Sequence, residues 1–146
     1  MSKIAVDTNI LLYALDDFYP EKQSISIQII ADRPSFCSQS LSEFTNECLR
    51  RWKFPKAKVA ELIKTYLQQC QYVPVTEIML LSATRLMDKY NFQLFDAIII
   101  ASALESGCTI LYSEDMNDGQ VIEKSLKIVN PFNKQKTPYR STRFLY

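Results

Sequence analysis

The stretch "KIAVDTNILLYALDD", residues 3–17, decides how the rest of the chain is read. Ile4, Ala5 and Val6 predict a short buried strand. Ile10, Leu11, Leu12, Tyr13 and Leu15 supply apolar surface straight afterwards and predict a helix over residues 9–16. Asp7 stands at the joint, with Thr8 and Asn9 beside it. A carboxylate next to a core is costly unless charge or hydrogen bonding compensates it.

The same alternation of strand and helix continues along the chain. A helix is predicted over 22–31, with Ile25, Ile29 and Ile30 on one face, then a strand over 35–38 and a helix over 41–53. Pro55 is expected as the first residue of a further helix striped by Val59, Leu62, Ile63, Tyr66 and Leu67. A strand over 72–75 precedes a helix capped by Thr76 that runs to about Tyr90. Residues 94–105 are apolar nearly all round, which predicts a buried helix, and Gly107 closes it. Strands over 109–112 and 127–129 complete the pattern. Alternation of this kind predicts an α/β domain of three layers, a mostly parallel central sheet flanked by helices. The 146 residues suffice for one compact domain, expected over 1–132, with a basic-aromatic and flexible tail over 133–146.

Composition removes several kinds of chemistry. With no histidine in the chain, the triads that use an imidazole base and the histidine-rich zinc sites are excluded. The cysteines, Cys37, Cys48, Cys70 and Cys108, form no C-x-x-C pair and read as buried free thiols. Two glycines leave no dinucleotide fingerprint and no P-loop. The longest apolar run, "AIIIASAL", is too short to span a bilayer, and "MSKIAVD" has neither the apolar segment nor the cleavage site of a signal peptide. The expected location is therefore cytoplasmic, with no membrane association. Net charge is +1, but the tail carries Lys134, Lys136, Arg140 and Arg143, so the body before it is slightly acidic.

The acids of that body are not scattered. Asp7 follows the first strand, Asp115 follows "TILY", and Asp118 lies three residues further. Asp96 heads the buried helix, where the helix dipole favours a carboxylate, and Glu43 lies in the first turns of the helix after the second strand. Glu47, one turn on, is the alternative to Glu43 if the register differs. In open α/β sheets, sites form beyond the carboxyl ends of strands. Two carboxylates 4 Å apart repel by on the order of 4 kcal/mol at an effective dielectric of about 20. A cation is the economical answer to such a cluster, and hard oxygen donors favour Mg²⁺ or Mn²⁺ over zinc.

"VDTNILLYALD", "SQSLSEF", "LFDAIIIASALESGCTILYSEDMNDGQ" and "LKIVNPF", in that order, resemble PIN-domain proteins, in particular the VapC-like toxins of toxin–antitoxin pairs. The resemblance implies a Mg²⁺- or Mn²⁺-dependent endoribonuclease leaving 5′-phosphate and 3′-OH ends. It places the catalytic and metal-holding acids at Asp7, Glu43, Asp96 and Asp115, with Asp118 toward a second metal. Thr8, Asn9 and Ser113 become orienting residues. It also implies an RNA substrate, a cognate antitoxin and a homodimer. "RRWKF" adds Arg50, Arg51, Trp52 and Lys53 as candidate RNA contacts. Two other classes are weighed against this one. A non-catalytic binding module of the same fold would use the acids structurally. A nucleophilic-aspartate phosphatase would want an acid where Asn9 stands.

Overall fold

The computed structural model describes residues 3–133. Strands β1 (Ile4–Val6), β2 (Ser35–Cys37), β3 (Gln71–Val73), β4 (Ile110–Tyr112), β5 (Val121–Ile122) and β6 (Leu126–Val129) form one sheet in the order β3-β2-β1-β4-β6-β5. Every neighbouring pair is parallel except β5 with β6. Six helices lie between the strands: α1 (Thr8–Tyr13), α2 (Pro20–Ala31), α3 (Ser38–Arg50), α4 (Lys56–Gln69), α5 (Glu77–Tyr90) and α6 (Leu94–Glu105).

Successive strand residues point to opposite faces, and both faces of this sheet are covered. Ala5 and Leu111 join a core built with Ala83 and Leu86 of α5 and the run Ala97, Ile98, Ile99, Ile100 and Ala101 of α6. Val6 and Phe36 join a second core with Ile10 and Leu11 of α1, Ile29 and Ile30 of α2, Phe44 and Cys48 of α3, and Val59 and Tyr66 of α4. Three layers follow. The apolar periphery of α6 reflects its place in the first of these cores, packed against α5. Its end is a Schellman motif: the Gly107 amide donates to the Leu104 carbonyl at 3.0 Å and the Cys108 amide to the Ala103 carbonyl at 2.9 Å, with Gly107 at φ +76°.

Three local expectations are corrected. The first helix spans Thr8–Tyr13 rather than 9–16, because Asp7 itself caps it and accepts from the Thr8 amide. Pro55 is the N-cap of α4, one position before the helical residues. The sequence reading also missed β5. Its turn into β6 holds Glu123 and Lys124 at φ 50° and 60°, a conformation that asparagine or glycine usually signals. Here a clasp replaces that signal. The Tyr90 hydroxyl accepts from the Glu123 amide at 3.0 Å and donates to its carboxylate at 2.9 Å, and Lys89 holds the same carboxylate at 2.6 Å.

The chain runs outward from β1 through β2 to β3, then crosses back to place β4 on the other side of β1. This reversal opens a crevice at the carboxyl ends of β1 and β4. Val6 pairs with Tyr112, and the Asp7 amide donates to the Tyr112 carbonyl at 2.9 Å, so Asp7 and the residues after Tyr112 arrive together. Most of the basic tail foreseen over 133–146, including Lys134, Lys136, Arg140 and Arg143, lies outside the described residues.

Candidate active site

The crevice is a cleft of about 610 Å³. Asp7, Thr8 and Asn9 reach it from the β1–α1 joint, Glu43, Asn46 and Glu47 from α3, Asp96 from the first turn of α6, and Glu114 and Asp115 from the segment after β4. Asp16 also lines it, whereas Arg51 is the one basic residue in its lining among the described residues.

Each central acid is held by a short local arrangement. Asp7 is 6% exposed, and its Oδ1 accepts from the Thr8 amide at 2.7 Å while its Oδ2 accepts from the Ser113 hydroxyl at 2.8 Å. Ser113 is itself fully buried and accepts from the Met116 amide at 3.3 Å, which fixes the turn after β4. Thr8 Oγ1 donates to Glu43 Oε2 at 2.8 Å, and Asn9 Nδ2 donates to Asp115 Oδ2 at 3.2 Å. Thus the three residues after Val6 reach the other walls of the cleft: Asp7 to Ser113, Thr8 to Glu43, Asn9 to Asp115. Asn9 Oδ1 is buried without a partner.

The electrostatics match that crowding. Burial pushes the Asp7 carboxyl up to about 6, opposed by the hydrogen bonds from Ser113 and Thr8 and helped by the charges of Glu43 and Asp96. Asp96 is also raised, by burial first and then by the charges of Glu43 and Asp115. A divalent cation is tested against these observations. The donors are hard oxygens, their mutual repulsion is uncompensated at the centre, and a buried amide oxygen lacks a partner, all of which suit Mg²⁺ or Mn²⁺ in kind. Yet among the described residues no three acidic or cysteine side chains gather closely enough to form a ready-made ligand set. The hydrogen bonds above account for this, since Asp7, Glu43 and Asp115 are each turned toward a protein donor.

The remaining sequence expectations separate here. Of the two glutamates on α3, Glu43 meets Thr8, whereas Glu47 pairs with Arg51 at 3.4 Å. Asp118 does not line the cleft. Its carboxylate accepts from the Asn130 amide at 2.9 Å and from Asn133 Nδ2 at 3.0 Å, bracing the segment after β6. Of the four candidate RNA contacts, Arg51 and Trp52 line the cleft, and Arg50 and Lys53 do not. Trp52 also packs on Phe54, with ring centroids 5.4 Å apart.

One group was missed from sequence. Glu114 accepts from the Tyr13 hydroxyl at 2.7 Å and forms a close ion pair with Lys22. The Lys22 ammonium lies 4.8, 5.4 and 5.6 Å from the ring centres of Tyr13, Tyr19 and Phe132. Burial pulls Lys22 down, but the bonds to Glu114 and Tyr13 and their charges hold it above its ordinary range. Glu114 was visible as the middle residue of "SED", but nothing local pointed to Lys22, ninety-two residues away.

The family model described as PIN domain matches residues 4–118, and that span contains every acid of the cleft. The chain belongs to the PIN domain family. No curated protein matches it by sequence. Solved structures share the fold. A toxin–antitoxin complex from Klebsiella pneumoniae matches with a TM-score of 0.64 and 19% identity, over 90% of this chain and 98% of that one. The DNA-bound VapBC of Salmonella typhimurium matches with a TM-score of 0.65 and 11% identity, over 88% and 97%. Mycobacterium tuberculosis VapC20, described as a sarcin–ricin loop cleaving toxin, matches with a TM-score of 0.62 and 16% identity, over 77% and 90%. In this PIN domain, no helix among the described residues is long and apolar enough to cross a membrane.

Proposed function

We propose that this PIN domain is a Mg²⁺- or Mn²⁺-dependent endoribonuclease, the toxin of a toxin–antitoxin pair acting in the cytoplasm as a homodimer and restrained by a cognate antitoxin. One observation carries the reading: Asp7, Glu43, Asp96 and Asp115 line a single cleft at the sheet's switch point, and among the described residues no cation is paired to any of them. The toxin–antitoxin origin of the structural neighbours supports the partner assignment.

Asp7, Asp96 and Asp115 would hold the cation, and Glu43 would orient an attacking water and accept its proton. When bound, the ion supplies a more acidic water and neutralises charge developing on the phosphate. The chain's own contribution is orientation. The Ser113 hydroxyl and the Thr8 amide fix both oxygens of Asp7. The Thr8 hydroxyl fixes Glu43, and Asn9 fixes Asp115. Arg51 and Trp52, at the cleft wall, are assigned to RNA contact. Asp118 is assigned no role in the first cation's coordination, because its carboxylate serves Asn130 and Asn133.

The test is Asp96→Asn, which should abolish RNA cleavage while leaving the fold intact. Full activity in that variant would sink the assignment. The separation of the acids favours a second reading, a PIN-fold module that binds without catalysis. Calorimetric titration with Mn²⁺ separates the two, since the nuclease requires a specific binding heat that Asp96→Asn diminishes, and the module gives none.

A further inference from the structure

The nuclease reading explains what could cut a phosphodiester but leaves Tyr19, on the wall of the same cleft, without a task. Tyr19 lies in the segment between α1 and α2, is 50% exposed, and lines the cleft that holds the acids. Its ring meets that of Tyr13 edge-on, with centroids 5.6 Å apart at 79°, and the Lys22 ammonium lies 5.4 Å from its centre. Tyr13 is in turn braced edge-on by Phe132 at 5.2 Å. Tyr19 is therefore an aromatic surface that is fixed in place yet open to solvent. A second such element stands on α3's end, where Trp52 lines the same cleft beside Arg51.

Each element also has a cation nearby whose charge is already partly met by a cleft acid: Lys22, over the Tyr19 ring, by Glu114, and Arg51, next to Trp52 in sequence, by Glu47. Such pairs do not draw in a polyanion by net charge. They offer ring faces with a polarised edge, which suits bases turned out of a stack. Bases stacked within a duplex cannot reach two separate side-chain platforms, whereas those of an unpaired loop can. Resting on the nuclease reading, we propose that Tyr19, backed by Tyr13 and Lys22, is a stacking subsite for the base of an unpaired RNA nucleotide next to the bond cut, with Trp52 receiving a second base.

The chain has a single tryptophan, so Trp52 emission reports occupancy of the cleft without any need for cleavage. The experiment is carried out on the full chain carrying Asp96→Asn to prevent turnover. Binding is followed by anisotropy and Trp52 emission with three probes: a random-sequence single-stranded RNA decamer, a duplex of the same length, and a single-stranded abasic decamer. The single strand should bind best and quench Trp52. Tyr19→Ala should weaken its binding about tenfold, Tyr19→Phe should restore it to within about twofold, and the abasic probe should not distinguish the variants. Equal single-strand binding by wild-type Tyr19 and Tyr19→Ala overturns the subsite alone and leaves the nuclease reading standing. Equal binding of duplex and single strand also overturns the subsite. Failure of the Asp96→Asn protein to bind any RNA overturns both readings together.

Discussion

Replacing Asp7 by asparagine should stabilise the cation-free protein at neutral pH, by an amount that depends on pH in a specified way. The Asp7 carboxyl titrates near 6 in the fold, against 3.8 for the free side chain, chiefly because it is buried. The folded state thus holds this proton more tightly than the unfolded state does. Its stabilising effect is fully present below pH 3.8 and is lost as pH rises through 6. A rise of that size corresponds to about 3 kcal/mol at full ionisation, and about 2 kcal/mol of it falls between about pH 4.5 and pH 7.5. An asparagine has no such proton to hold, and it also relieves Asp96 and Glu43 of a neighbouring charge, which acts in the same direction as pH rises. The assay is urea unfolding of wild type and Asp7→Asn in EDTA at the two pH values. The variant's stability relative to wild type should grow by about 2 kcal/mol toward the higher pH, roughly 6 °C in Tm for a domain of this size. Adding Mn²⁺ at pH 7.5 should then raise wild type more than the variant. A difference that stays flat with pH would refute the claim that Asp7 is held as a buried, uncompensated acid.

Two further outcomes test other parts of the structure. Lys124→Gly should stabilise the β5–β6 turn by about 1 kcal/mol, because Lys124 sits at φ 60° where a side chain is strained, and thermal unfolding reads the gain. Arg51→Ala should weaken RNA binding with little change in its salt slope, because Glu47 already meets much of that charge, while Arg50→Ala leaves binding unchanged, since of the two only Arg51 lines the cleft.

The fold was legible wherever burial imposed a period. Ile4–Val6, the stripe of α5 and the all-round apolar run of α6 each describe a surface that must be covered, and their neighbours in the sheet follow from that. Elements were missed where the determinant lies far away in sequence. The β5–β6 turn carries Glu123 and Lys124, residues that announce no turn, and is held from α5 by Tyr90 and Lys89, thirty-odd residues upstream. No local pattern encodes that kind of support.

The same distinction runs through the site. Asp7 stood out because its surroundings are apolar, and Glu43, Asp96 and Asp115 because they stand at strand ends and helix starts, which the fold brings to the same cleft. Where Asp118 points was not readable, because its partners Asn130 and Asn133 lie beyond β6 and become neighbours only when β6 pairs with β4. Lys22 was equally hidden, although it is the cation that meets Glu114. These two cases have opposite consequences for the charge of the cleft. Asp118 is removed from it by amide donors and Glu114 is balanced within it by an ammonium, so among the described residues Asp7, Asp16, Glu43, Asp96 and Asp115 are the cleft acids without an ion pair. The sequence marks acids that the fold gathers in one cleft, and the long-range contacts decide which of their neighbours carry a partner. Partnering of this kind leaves the acidity of the segment localised at the carboxyl ends of β1 and β4, which is where the proposed cation would sit.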